Sequence, residues 1–112
     1  MKTFRLIGLM SGTSLDGLDI VDVTFTRATQ NDWSYKLNKA ITLSYTEEWR
    51  SRLISAPQLT GEELSQLSVD LACFYGDKVN TFLSTYDIPK EELFAVASHG
   101  QTIFHQPDKG TT

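Results

Sequence analysis

The chain has 112 residues, the size of one small domain, with 40% hydrophobic, 11% aromatic and 21% charged residues, a composition that supports the packed core of an ordinary globular protein. A formal net charge of −4 argues against a nucleic-acid binder, which usually carries a basic face, although net charge says nothing about the sign of an individual pocket. The single cysteine, Cys73, excludes an internal disulfide and fits a reducing compartment; among Leu71, Ala72, Phe74 and Tyr75 it is expected to be a small buried hydrophobe rather than a nucleophile.

The first residues, Met1 to Met10, are apolar only over a short stretch that Arg5 interrupts. They lead into a Gly/Ser/Thr/Asp segment, which reads as a strand followed by a loop and not as a signal peptide. No run approaches the roughly 18–20 apolar residues needed to cross a bilayer, so a soluble, cytoplasmic protein with no membrane partner is expected. Phe4–Met10 is the first predicted strand, largely buried. Leu18–Thr26, rich in β-branched residues, is the second. Its alternation puts Asp19, Val21, Val23 and Phe25 on one face and Leu18, Ile20, Asp22 and Thr24 on the other. After a polar connection over Ala28–Asp32, Trp33–Ser44 reads as a third strand, and the three short-linked strands suggest an antiparallel meander.

Two helices follow. Thr46-Glu47-Glu48 opens a short one, with acidic residues at its positive end, Trp49 and Leu53 on one face, and a stop at Ala56-Pro57. Thr60-Gly61-Glu62-Glu63 is a capping box that starts a long helix running to about Tyr86. Its apolar stripe is Leu64, Leu67, Leu71, Phe74, Tyr75, Phe82 and Tyr86, read as core without functional weight. Gly76 marks either close packing or a kink. Beyond a turn at Ile88–Glu92, the apolar run Leu93–Ser98 suits a buried parallel strand. Ile103-Phe104-His105 is expected to begin another strand, whose hairpin partner would lie beyond Thr112.

Two segments carry groups suited to chemistry. The first is Gly8-Leu9-Met10-Ser11-Gly12-Thr13-Ser14-Leu15-Asp16-Gly17-Leu18-Asp19. A turn of this kind can aim several backbone N–H groups at an anion. Gly12 and Gly17 permit close approach and positive φ, and Ser11, Thr13 and Ser14 add hydroxyls. Asp16 and Asp19 would repel phosphate directly but suit a Mg²⁺ ion between themselves and phosphate oxygens, with Asp22 a third carboxylate nearby. Physics alone leaves an ordinary hairpin turn equally open. A Walker loop is excluded, because no Gly-Lys-Ser/Thr follows and the turn leads into a strand.

The second segment is Ser98-His99-Gly100-Gln101-Thr102, at the C-terminal end of a predicted parallel strand, where open α/β sheets place ligands. Its donors and acceptors suit sugar hydroxyls, although a polar loop leaving the sheet explains it as well. His99 and His105, without cysteine or a nearby carboxylate pair, make a poor metal site. Ser98 beside His99 lacks the nucleophile-elbow pattern of a hydrolase.

Together, Gly8-x-Met10-Ser11-Gly12-Thr13-Ser14-x-Asp16-Gly17-x-Asp19 and Ser98-His99-Gly100-Gln101-Thr102-x-x-His105 resemble the anhydro-N-acetylmuramic acid kinase family. The resemblance implies an α/β chain forming the N-terminal part, residues 1–112, of the ribonuclease H-like first lobe of the actin-like sugar-kinase ATPase fold. That part comprises an antiparallel β-meander, helices and then a parallel strand; the rest of the lobe and the second lobe are missing. It further implies phosphorylation of O6 of 1,6-anhydro-N-acetylmuramic acid by ATP with Mg²⁺, with hydrolytic opening of the anhydro ring, in cytoplasmic peptidoglycan recycling. It also allows a homodimer of the complete enzyme.

On this resemblance Gly12, Thr13, Ser14, Leu15, Asp16, Gly17, Leu18 and Asp19 would bind the nucleotide, with Asp16 and Asp19 organising Mg²⁺. Ser11, Thr13, His99, Gly100, Gln101 and Thr102 would face the sugar. The family's catalytic base lies in a later Asp-Phe-Arg segment that does not occur before Thr112, so no catalytic residue is assigned, and these 112 residues are expected to be inactive alone. The competing readings are another actin-like sugar or acyl kinase, a non-catalytic ATP-binding or regulatory module, and a small stand-alone domain. An unfinished sheet edge also predicts self-association.

Overall fold

The computed structural model describes residues 1–12 and 14–112. Four strands form one mixed sheet: β1 (Lys2–Met10), β2 (Gly17–Thr29), β3 (Asp32–Ser44) and β4 (Leu93–Ser98), in the order β3-β2-β1-β4. The first three make the expected antiparallel meander, and β4 joins β1 in parallel. Two α-helices, α1 (Glu47–Ser55) and α2 (Gly61–Thr85), connect β3 to β4.

The meander strands are longer than their apolar cores suggest. The expected connection over Ala28–Asp32 shrinks to Gln30-Asn31, because Thr29 pairs with Asp32 and Arg27 with Trp33, Ala28 being skipped in the register. The Arg27 guanidinium lies 5.5 Å from the Trp33 ring centroid, a cation–π contact that favours pairing there.

Both helices start as their sequences dictate. Thr46 caps α1 by accepting from the Trp49 amide. At α2 the Thr60 hydroxyl accepts from the Glu63 amide at 3.2 Å while the Glu63 carboxylate accepts from the Thr60 amide at 3.0 Å. These reciprocal bonds satisfy two amides that a helix start leaves without partners and hold the Glu63 carboxyl below its ordinary pKa, chiefly through the Thr60 amide. An Arg52–Asp70 ion pair at 2.8 Å and a Trp49–Phe74 ring contact at 5.0 Å tie α1 to α2.

The core lies on one face of the sheet, where Ile7, Leu9, Leu18 and Ile20 meet Leu53 of α1 and Tyr75, Val79, Phe82 and Leu83 of α2. Val79 and Leu83 extend the apolar stripe beyond the residues that sequence spacing selects, whereas Tyr86, at the C-cap, is 38% exposed. α2 runs through Gly76 without interruption, and nothing lies within 4 Å of where a Cβ would stand there. Close packing is therefore not the reason for this glycine.

Several expectations are corrected. Cys73 is exposed, because its position on α2 lies about half a turn from the stripe of Leu67, Leu71 and Tyr75. β4 is parallel but not buried. It is the outer strand of the sheet, with Phe94 68% and Val96 49% exposed, since Phe94 stands beside Phe4 on the face that the helices leave open and Val96 lines a cleft beside α2. Ile103–His105 forms no strand; the chain instead closes a 3₁₀ turn over Pro107–Lys109, flanked by a single bridge between Gln106 and Thr111.

Candidate functional site

Strand direction decides what meets at one end of the sheet. β1 and β4 run parallel with Leu9 beside Ser98, and Gly17 pairs with Ser44. The segments leaving β1 and β4, the start of β2 and the end of β3 therefore share one edge. Ser11 and Gly12 of the β1–β2 connection thereby lie against the Ser98–Thr102 loop.

Direct hydrogen bonds join these two segments, 89 residues apart. The Ser11 hydroxyl donates to the Gly100 carbonyl at 2.9 Å, and the Gln101 side-chain amide donates to the Gly12 carbonyl at 3.0 Å and to that of Thr102 at 3.2 Å. Gly100 sits at φ 73°, a conformation that a side chain disfavours, and its amide donates to the Ser98 hydroxyl at 3.0 Å. In this loop the left-handed Gly100 presents its carbonyl to Ser11.

Behind the junction lie two tyrosines that no motif marks. Tyr75 of α2 and Tyr45, just after β3, bring their hydroxyl oxygens to 2.9 Å from each other, and that of Tyr75 lies 2.9 Å from Ser11 Oγ. Tyr45, Tyr75 and Ser11 are all buried, at 7%, 8% and 3% exposure. Because Ser11 gives its one proton to Gly100, Tyr75 must donate to Ser11. Tyr45 then donates either to Tyr75 or, at 3.3 Å, to the side-chain carbonyl of Gln101. Burial first, and the contact with Tyr75 second, push the Tyr45 phenol far above its ordinary pKa. It stays a neutral donor at any physiological pH. Among the described residues no buried side-chain polar atom lacks a partner.

The residues named from sequence divide by what they present. Gly12, Ser14, Asp16 and Asp19 are exposed at the mouth of the turn, and His99 is exposed on the loop. The Asp19 carboxylate accepts from the Thr42 hydroxyl. Gly100, Gln101 and Thr102 are half-buried. Ser11 is buried with its hydroxyl already engaged, and the Leu18 side chain is in the core at 1% exposure. Thr13 lies outside the described residues. Positive φ in this turn falls on Leu15, at 59°, and not on Gly12 or Gly17. Gly17 is required for a different reason, since a Cβ there would stand 2.3 Å from the Leu43 carbonyl oxygen.

Asp22 does not belong to the site. It is 1% exposed, opposite Ile7 in mid-strand, and forms a two-pronged pair with Arg5 at 2.7 and 3.0 Å. Among the described residues no three His, Cys, Asp or Glu side chains group so as to hold a metal. His105 lies away from the turn, its ring nitrogen 2.8 Å from the Thr112 hydroxyl.

Beside the junction a cleft of about 800 Å³ opens between α2 and β4. Leu9, Leu71, Gly76 and Val96 give it apolar walls, and His99 and Gln101 line its polar end. A smaller hollow beyond the loop is lined by His99, Thr102 and Phe104. The site thus offers exposed carboxylates and a hydroxyl on one wall, amide and imidazole groups on the other, and a hydrogen-bonded joint between them.

A family model of anhydro-N-acetylmuramic acid kinase matches residues 4–112. The chain belongs to that family. Among curated relatives, an anhydro-N-acetylmuramic acid kinase of Pseudoalteromonas translucida (strain TAC 125) is 35% identical over 111 residues, which is 96% of this chain and 27% of the relative. The chain therefore spans about a quarter of the length of that kinase. The family match covers both segments of the junction and the helices between them. Among the described residues no helix is long and apolar enough to cross a membrane.

Proposed function

We propose that the complete protein containing this chain transfers the γ-phosphoryl group of ATP to O6 of 1,6-anhydro-N-acetylmuramic acid, with hydrolytic opening of the anhydro bond, as a cytoplasmic step of peptidoglycan recycling. Residues 1–112 would be the N-terminal part of the first, ribonuclease H-like lobe of an actin-like kinase. Family membership supports this reading, as does a sheet in which an antiparallel meander is followed by helices and a strand parallel to the first. The observation that carries it is the junction itself: Ser11 and Gly12 of the proposed phosphate turn are hydrogen-bonded to Gly100 and Gln101 of the proposed sugar loop.

Phosphoryl transfer rests on positioning and charge neutralisation more than on covalent chemistry by the protein. In this reading Gly12 and Ser14 would offer polar groups to the nucleotide phosphates, and the exposed Asp16 and Asp19 would lie near them. Two carboxylates beside a polyphosphate are compatible only with a cation between them, and Mg²⁺ takes few protein oxygens when phosphates and water supply the rest. Mg²⁺ would supply charge neutralisation at the transferring group. His99, Gln101 and Thr102 would orient the sugar, and the base that activates water would come from chain beyond Thr112.

Mass spectrometry of the products formed from ATP, Mg²⁺ and the anhydro sugar tests this reading, with the complete protein beside the 112-residue chain. N-acetylmuramic acid 6-phosphate from the complete protein alone is expected. No product from either would overturn the kinase reading, and turnover by the short chain would overturn the partial-lobe reading.

A further inference from the structure

The tyrosine pair behind the junction is buried, with Tyr75 at the back of the cleft, and it contacts both walls of the site. Tyr75 donates to Ser11, whose own proton goes to Gly100, and Tyr45 reaches Gln101, whose amide grips Gly12. Both tyrosines are anchored by the fold. Tyr75 is fixed on the helix that carries the core, and Tyr45 is fixed by its amide, which donates to the Asp16 carbonyl at 3.2 Å. The same tyrosine thus holds the far end of the β1–β2 turn through its backbone and approaches the loop after β4 through its hydroxyl.

We propose that Tyr75 and Tyr45 are positioning residues that fix the separation of the phosphate turn from the sugar loop. This rests on the kinase reading, because it is the meeting of two substrates that makes that separation matter. A hydrogen-bonded phenol inside a core would serve stability alone if it bonded a neighbour on its own wall. Here the chain of donors crosses from α2 through one wall to the other, and its direction is dictated by Ser11 having a single proton. Without the Tyr75 hydroxyl, Ser11 loses its donor and is free to turn from Gly100, so the two loops keep their own folds but are held in register by the Gln101–Gly12 bond alone. Reaction rate falls steeply with such misplacement, whereas the affinity of each wall for its own substrate does not.

The test compares Tyr75→Phe, Tyr45→Phe and, as a control on an exposed ring, Tyr35→Phe in the complete protein. Steady-state kinetics would be measured for both ATP and the anhydro sugar, together with hydrogen exchange of the peptides covering residues 9–16 and 98–104. For Tyr75→Phe the expected result is a kcat lower by about tenfold with both KM values within about twofold, and faster exchange in both peptides. Tyr45→Phe should show a smaller loss of the same kind, since Tyr75 still donates to Ser11, and Tyr35→Phe none. An active wild-type protein with an unchanged kcat in Tyr75→Phe, or a kcat that falls only in proportion to the unfolded fraction in a thermal melt, overturns the positioning role alone. A wild-type protein that turns over neither substrate overturns the kinase reading and this proposal with it.

Discussion

A carbon added at Gly17 would stand 2.3 Å from the Leu43 carbonyl oxygen, 3.0 Å from its carbon and 3.1 Å from Ser44 Cα. All three are backbone atoms of the neighbouring strand and cannot swing aside. Gly17→Ala must push β3 away where β2 begins, so a loss of about 3 kcal/mol is expected in chemical denaturation of the complete protein, together with weaker nucleotide binding under the proposed function. At Gly76 the argument reverses. No atom lies within 4 Å of the place a methyl group would take, and the residue is inside a helix, so Gly76→Ala should stabilise by about 0.5–1 kcal/mol. A loss there instead would mean that further chain packs tightly against this part of α2. The glycines of the first motif were legible as residues of a crowded turn, but their separate reasons were not. Positive φ fell on Leu15, a strained placement for a branched side chain, because packing of Leu15 against the core is a tertiary demand that local turn chemistry does not reveal.

Between elements, the strongest polar tie is the Arg5 guanidinium. It joins Asp22 of β2 and also Glu92, just before β4, so one side chain of β1 links both neighbouring strands. The hydrogen bonds from Arg5 hold the Asp22 carboxyl below the ordinary value of 3.8 against the opposing effect of burial, with Asn38 contributing a further bond. A carboxyl whose folded pKa is depressed contributes its full stability above the ordinary value and loses it as pH falls through the lowered folded value. Denaturation midpoints of the wild type should therefore fall more steeply than those of Asp22→Asn as pH drops below about 4. At neutral pH that substitution should cost about 2 kcal/mol, because Arg5 is left partly buried beside a neutral amide. Parallel acid profiles for the two proteins would show that this pair is not a determinant of acid stability. From sequence, Asp22 stood near the turn as a third carboxylate. Its partner is 17 residues away and is identified only once the β1–β2 register is known. The same limit applies to Leu93–Ser98: an apolar run specifies a strand, but not whether anything covers it. Apart from the strand expected at Ile103–His105, element types and order were legible, as was the α2 capping box, because each rests on local spacing. The tyrosine relay was not, because Tyr75 fits the apolar stripe of α2 and only its hydroxyl distinguishes it.

For the molecule as a whole, the radius of gyration is 16.4 Å, against about 13 Å for a compact domain of this length. The excess has a structural origin. The helices cover one face of the sheet, while the opposite face carries an uncovered aromatic group. On it Phe94 packs edge-on to Phe4 at 5.1 Å, Trp33 lies 5.9 Å from Phe4, and Trp33, Tyr35 and Phe94 are 50%, 70% and 68% exposed. Among the described residues the outer edge of β4 has no pairing strand and adds its backbone groups beside the apolar cleft under α2. An exposed apolar face next to an open strand edge is a template for association. The 112-residue chain on its own should therefore bind a hydrophobic dye and scatter light as an oligomer at concentrations on the order of 100 μM. Phe94→Lys, which places a charge on that edge strand, should lower both signals without altering the far-ultraviolet circular dichroism. The complete protein should give neither signal, because the additional chain would cover these surfaces. A clean monomer of the short chain without dye binding would show that the exposed face is tolerated by water, and would favour a stand-alone domain over a partial lobe.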